Sequence, residues 1–326
     1  MPRRALLASI LILATACDKA KELAIGTAAE GAPTSSDPVA AQPLDLSQKP
    51  NILFQLFGEK DDPRMIPVAA IQNGTLKLIG LTTAGWRQFD AMYDRSGNSY
   101  FVFHDGHQVG TARVKQGMWE KPDQPLYTLP NCQLLTPLAA VSLEGGIDPG
   151  YTVELLASSA QLSAPLRGKP LPAAETERIA RDVAYPVAQA AGISKAALDS
   201  LDFRGVSVST GATGAPTVIA TFIDPHVDDQ SGGDASHTAH VFVIADRDAS
   251  GAYHATFSHA QNGALGKADF RRYMDHLDIN GDGVDEIFLA GWQYGGDTFL
   301  SVLGYQNGKW SEVFHGRSSW CLDADR

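Results

Sequence analysis

The chain has 326 residues, 44% hydrophobic and 19% charged, which is enough to bury one large core or two ordinary ones and excludes a disordered or fibrous protein. Its formal net charge of −11, with no Lys/Arg block against that acidity, excludes a protein that grips nucleic-acid backbones, because phosphates would be repelled. The first element is a leader. It consists of the basic stretch MPRR, the apolar run ALLASILILATA, too short to span a bilayer, and the small residues Ala14, Thr15 and Ala16 directly before Cys17. That order marks residues 1–16 as a secretory signal peptide.

The junction resembles the lipobox of bacterial lipoproteins, in which the cysteine is diacylated and becomes the first mature residue; Ala14 stands where that family usually has Leu. The resemblance implies lipidation of Cys17, a membrane partner through the lipid anchor, and a place on the periplasmic face of the bacterial cell envelope. Asp18 matches a residue that retains some members at the inner membrane. Two acyl chains hold firmly where one binds only marginally. Residues 17–50 are then the lipidated cysteine and a flexible tether. They are rich in Ala, Pro, Ser and Thr, without an apolar period, and such a segment reaches on the order of 30 Å. With Cys17 lipidated, Cys132 and Cys321 remain. In an oxidising compartment they form either a disulfide between the first folded region and the C-terminus or two separate buried thiols.

The expected fold class is α+β, predominantly β. A β-rich domain over 51–160 consists of short apolar segments, with Asn73-Gly74 and Asp105-Gly106 as hairpin turns. Pro122, Pro125, Pro130 and Pro137 cut its later segments. Trp86, Phe89, Tyr93, Tyr100, Phe101, Phe103 and Trp119 are read as core aromatics of strands. An α+β domain over 161–326 begins with a helix whose Ile179, Val183, Val187 and Ala190 share one face. Glu177 and Arg181 pair on another face, Pro186 kinks the helix and Gly192 ends it. A short helix capped by Ser194 follows. TVIATFI and HVFVIA are apolar at nearly every position, which suits strands of an antiparallel sheet covered on both faces, one of them by the helix.

Within HLDINGDGVDEIFL, oxygen-bearing side chains fall at positions 1, 3, 5 and 9 counted from Asp278: Asp278, Asn280, Asp282 and Glu286. Gly283 allows the sharp turn at position 6, and Val284 offers its carbonyl at position 7. Alternate oxygens suit Ca²⁺, which takes six to eight of them. Position 12 is Leu289 within strand-like sequence, so this is not an EF-hand. The stretch resembles the calcium loop of FG-GAP and VCBS repeats, known from integrin α-chain propellers. The resemblance covers residues 270–315 in a single copy and implies a structural Ca²⁺ within one blade-like hairpin, with a further Asn307-Gly308 turn. Asp285, at position 8, is expected to point outward or to bind through water.

A second, rival site is a loop with His226, His237 and His240, which could hold zinc or another transition metal; its spacing matches no diagnostic motif. No G-x-S-x-G elbow, phosphate loop or C-x-x-C is present. The function expected on these grounds is a non-enzymatic, lipid-anchored envelope protein with a structural Ca²⁺ that binds or scaffolds a protein or glycan. The alternative is an envelope hydrolase acting on glycans or peptides.

Overall fold

Three hairpin turns carry two consecutive left-handed residues: Asn73-Gly74 (φ 50° and 72°), Asp105-Gly106 (50° and 76°) and Asn307-Gly308 (53° and 79°). These are type I′ turns, whose twist matches that of the flanking strands and which an Asx-Gly pair adopts at least cost. The computed structural model describes residues 44–121, 123–127, 135–162, 168–228, 238–294 and 298–317.

The N-terminal half forms strands β1 (Asn51–Glu59), β2 (Asp62–Gln72), β3 (Thr75–Lys77), β4 (Ser99–His104), β5 (His107–Gln116), β6 (Ala139–Glu144) and β7 (Thr152–Ser158). Pairing runs β1-β7-β4-β5-β6-β2 and returns from β2 to β1, so the sheet closes into an antiparallel barrel with β3 added beside β2. Alternation sorts the side chains. Ile52, Phe54, Leu56, Val102, Val153 and Leu155 belong to the barrel's own core, while Leu53, Phe103 and Leu156 join a different cluster on its outside.

Helix α1 (Thr83–Tyr93) breaks this β run. Trp86, Phe89 and Tyr93, read from the sequence as strand aromatics, lie on its buried face and pack against Phe54 and Tyr100 of the barrel core. Their spacing of three and four residues is helical, and the Thr82 hydroxyl caps the helix by accepting from Gly85 N at 3.1 Å.

Helices α2 (Ala173–Ala190) and α3 (Lys195–Ser200) precede β8 (Asp202–Val208), β9 (Thr217–Ile223), β10 (Thr238–Arg247) and β11 (Tyr253–Gly263), an antiparallel sheet ordered β11-β10-β9-β8. Helix α2 runs through Pro186, and Ser194 caps α3 as expected. Ile179, Ala180, Val183, Ala184 and Ala188 form the buried stripe against Val218, Ala220, Phe222, Val241 and Val243; Ala190 is exposed. A third sheet is the antiparallel meander β12 (Asp269–Leu277), β13 (Glu286–Gln293), β14 (Thr298–Gln306) and β15 (Lys309–Arg317).

Shared clusters give the layer order. Ile219, Phe242 and Ile244 of the second sheet pack on Ile287, Leu289, Leu303 and Trp310 of the third. The opposite face of the third sheet, with Phe288, Leu300 and Val302, packs on Leu53, Phe103 and Leu156 of the barrel. Helix α2, second sheet, meander and barrel are therefore stacked in that sequence, and the described residues form one compact body. The fold is predominantly β with antiparallel sheets. Burial on both faces explains why TVIATFI is apolar throughout, since every residue of β9 is buried. At the seam between second sheet and meander, Asp246 (1% exposed) accepts from the hydroxyls of Thr217 at 2.6 Å and Thr256 at 2.5 Å, and from Trp310 Nε1 at 2.7 Å.

Candidate functional site

The calcium-type loop joins β12 to β13, and its acidic side chains turn inward onto its own backbone. Asp278 Oδ1 and Oδ2 accept from Gly281 N (2.7 Å) and Gly283 N (3.0 Å), and Asn280 Oδ1 accepts from Asp282 N (2.7 Å). Asp282 Oδ1 accepts from Val284 N (2.7 Å), and Glu286 Oε2 from Ile279 N (2.9 Å). Asn280 Nδ2 donates to both Asp282 Oδ2 (3.0 Å) and Glu286 Oε1 (2.8 Å). Burial, reinforced by the negative charges of Asp282 and Asp278, pushes the Glu286 carboxyl up to about 7.

These residues fit a hard cation in donor chemistry. One amide N–H group sits between two carboxylate oxygens, where Asn280 would instead turn its carbonyl oxygen toward an ion. Among the described residues, no three His, Cys, Asp or Glu side chains stand ready to hold a metal ion. Loading would therefore also require the carboxylates to exchange backbone N–H groups for the ion. Leu289 lies within β13, so the loop leads into a strand rather than the helix an EF-hand needs.

The loop is pinned between layers. Ile279, 6% exposed, packs in the cluster shared by barrel and meander. Gly74, in the β2–β3 turn, approaches so closely that a Cβ there would stand 2.9 Å from Asn280 Cα. A second barrel turn presses on the same region, where a Cβ on Gly106 would lie 2.6 Å from His276 Nε2.

Asp285 departs from expectation. It is 2% exposed rather than outward-facing; its backbone N donates to Thr210 O at 2.8 Å, and its Oδ2 lies 3.7 Å from His276 Nε2. A residue between two inward-turned loop positions is thereby directed into the protein. His276 Nδ1 shares a 2.7 Å hydrogen bond with the Tyr273 hydroxyl. Neighbouring Asp275 accepts from Gly106 N (3.1 Å) and His276 N (2.8 Å) at Oδ1, and burial pushes its carboxyl up to about 6. Burial also holds the Tyr273 phenol well above its usual range.

His276 and Asp285 line a cavity of about 420 Å³ between the β4–β5 turn, the start of α2, and β8. Leu171, Val206 and Val208 supply an apolar wall, and Asp105 and His107 the rim on the barrel side. The size and mixed lining are those of small-molecule sites. A second cavity, about 560 Å³, lies across the same turn, with His107 common to both.

The rival histidine site is not assembled by the described residues. His240 is fully buried between strands, its Nε2 accepts from Arg271 N at 3.2 Å, and its ring faces His259 and Phe270. Burial, then the nearby His259, pushes His240 down to about 3. His237 and the side chain of His226 lie outside the described residues, as do Cys17, Cys132 and Cys321.

Sequence reasoning passed over His276 and Asp275, and it read Asp285 as outward-facing or bound through water. β12 carries Asp269, Arg271 and Arg272 as well, so nothing local singles these residues out, and the cavity that His276 and Asp285 share is built from segments far apart in the chain. No protein-family model, curated protein or solved structure matches this chain.

Proposed function

We propose that this is a non-enzymatic binding or scaffolding protein of the bacterial cell envelope, held to the membrane by a lipid on Cys17. In this reading a structural Ca²⁺ at Asp278, Asn280, Asp282, the Val284 carbonyl and Glu286 locks the meander to the barrel. The reading takes the second half as an α+β region and β12–β15 as a blade-like unit. The observation that carries it is the seat of the loop. Asn280 bridges the Asp282 and Glu286 carboxylates directly under Gly74 of the barrel, so a cation there would tie two layers together as well as a turn.

Calcium that binds only the folded protein must raise its thermal midpoint. A shift of several degrees between calcium and a chelator is expected, lost in Asp278→Ala; an unchanged midpoint rejects the metal. Cys17→Ser should release the protein from the membrane fraction, and unaltered fractionation rejects the anchor. An envelope hydrolase of glycans or peptides is the second reading. It draws on His276 and Asp285 at the wall of the 420 Å³ cavity, with half-buried Tyr273 hydrogen-bonded to His276, a setting in which acid–base groups are commonly tuned.

A further inference from the structure

We propose that the cavity between the β4–β5 turn and β8 binds a small organic amine: a protonated nitrogen carried on an apolar body. The proposal deepens the reading of this chain as a binding protein and gives that binding a place and a chemical class. Three observations carry it.

The cavity is built rather than incidental. Its floor includes His276 and Asp285, 5% and 2% exposed, and the left-handed Gly106 turn lies so close to the imidazole that no side chain fits between them. The ring cannot swing toward the turn, so the polar floor is fixed.

Asp105 and Asp285 line the space, and no Lys or Arg does so among the described residues. Their carboxylates and the imidazoles of His107 and His276 are the titratable groups of the lining. The whole chain carries −11, and a concave, partly desolvated site concentrates that field at its floor. A protonated nitrogen is favoured there, and an anionic ligand is repelled.

Apolar side chains share the lining. Leu171, at the entry to α2, and Val206 and Val208, from β8, border the same space. Such side chains reward burial of a hydrocarbon or aromatic body. With about 420 Å³ available, a bicyclic aromatic amine fits.

The test uses the full-length chain and a matched pair of probes, tryptamine and tryptophol, which differ in a terminal ammonium against a hydroxyl. Titration calorimetry should show tryptamine binding at least about tenfold tighter, the equivalent of one charge-assisted hydrogen bond. Asp285→Asn should abolish that preference. Asp105→Asn should reduce it about threefold; this side chain is exposed in a turn position that Asn also favours, so that variant remains informative if the buried substitution fails to fold. Equal affinity for the two probes, absence of binding at millimolar concentration, or a preference that survives both substitutions overturns the proposal. Amine selectivity without a calcium-dependent thermal shift would overturn only the metal reading. A calcium shift without amine selectivity would overturn only the proposal made here.

Discussion

His276 Nε2 lies 3.7 Å from Asp285 Oδ2, so the last turn of β12 meets the residue just before β13 beneath the loop that joins them. The calcium-type loop is thus closed at its base by a buried acid–imidazole contact and covered by two barrel turns, at Gly74 and Gly106. A loop that looks like a surface turn is the junction of two layers.

That junction has a strict steric limit at Gly106. Gly106→Ala would place a methyl 2.6 Å from the His276 ring in a backbone of φ 76°, and should cost about 3 kcal/mol from left-handed strain plus the clash. Gly146→Ala, at φ 81° with nothing within 4 Å, should cost only about 1 kcal/mol. Urea unfolding compares the two, and equal losses would mean that the turn does not rest on the imidazole.

Acid should destabilise the protein through His240. Its folded pKa is held at about 3 by burial, whereas the unfolded chain takes up a proton near the ordinary value of about 6.5. Between these values the unfolded state binds more protons, so stability present above pH 6.5 is lost as pH falls, by on the order of 4 kcal/mol at pH 3. His240→Gln keeps an acceptor for Arg271 N and should flatten this slope in a pH series of unfolding midpoints. A slope that does not change would place the acid sensitivity elsewhere.

The seam between the second sheet and the meander depends on Asp246. Two threonine hydroxyls and the Trp310 indole donate to its carboxylate. Asp246→Asn leaves one acceptor oxygen and turns an NH₂ toward donors, which should cost about 3 kcal/mol by denaturant unfolding. A loss below about 0.5 kcal/mol, the level of an ordinary surface change, would show that the carboxylate is dispensable.

Glu154 and Arg272 provide a milder link between barrel and meander, with paired contacts of 2.7 and 2.6 Å. Both side chains are partly exposed, at 28% and 38%. Glu154→Gln should therefore cost no more than about 1 kcal/mol, and the cost should shrink in high salt. A larger, salt-insensitive loss would mark the pair as more deeply coupled than its exposure implies.

Local chemistry settled a good part of the molecule in advance. Asx-Gly pairs specify type I′ turns because few other residues tolerate two positive φ values, the period of α2 marks the face it buries, and the unbroken apolar runs of β9 and β10 mark burial on both faces. The inward turn of Asp278, Asn280, Asp282 and Glu286 likewise follows from spacing along one tight loop. What needed the tertiary structure depends on residues distant in the chain. Trp86, Phe89 and Tyr93 read as strand aromatics until the barrel showed them on a helix packed to its core, because neighbouring β-segments masked a three-turn period. Asp285 looked like a solvent-facing loop position, yet β8, α2 and a turn 180 residues earlier in the chain enclose it in a cavity. Spacing within a segment determines its own hydrogen bonds and face; which faces meet, and so where a ligand can be enclosed, is decided only when the layers pack.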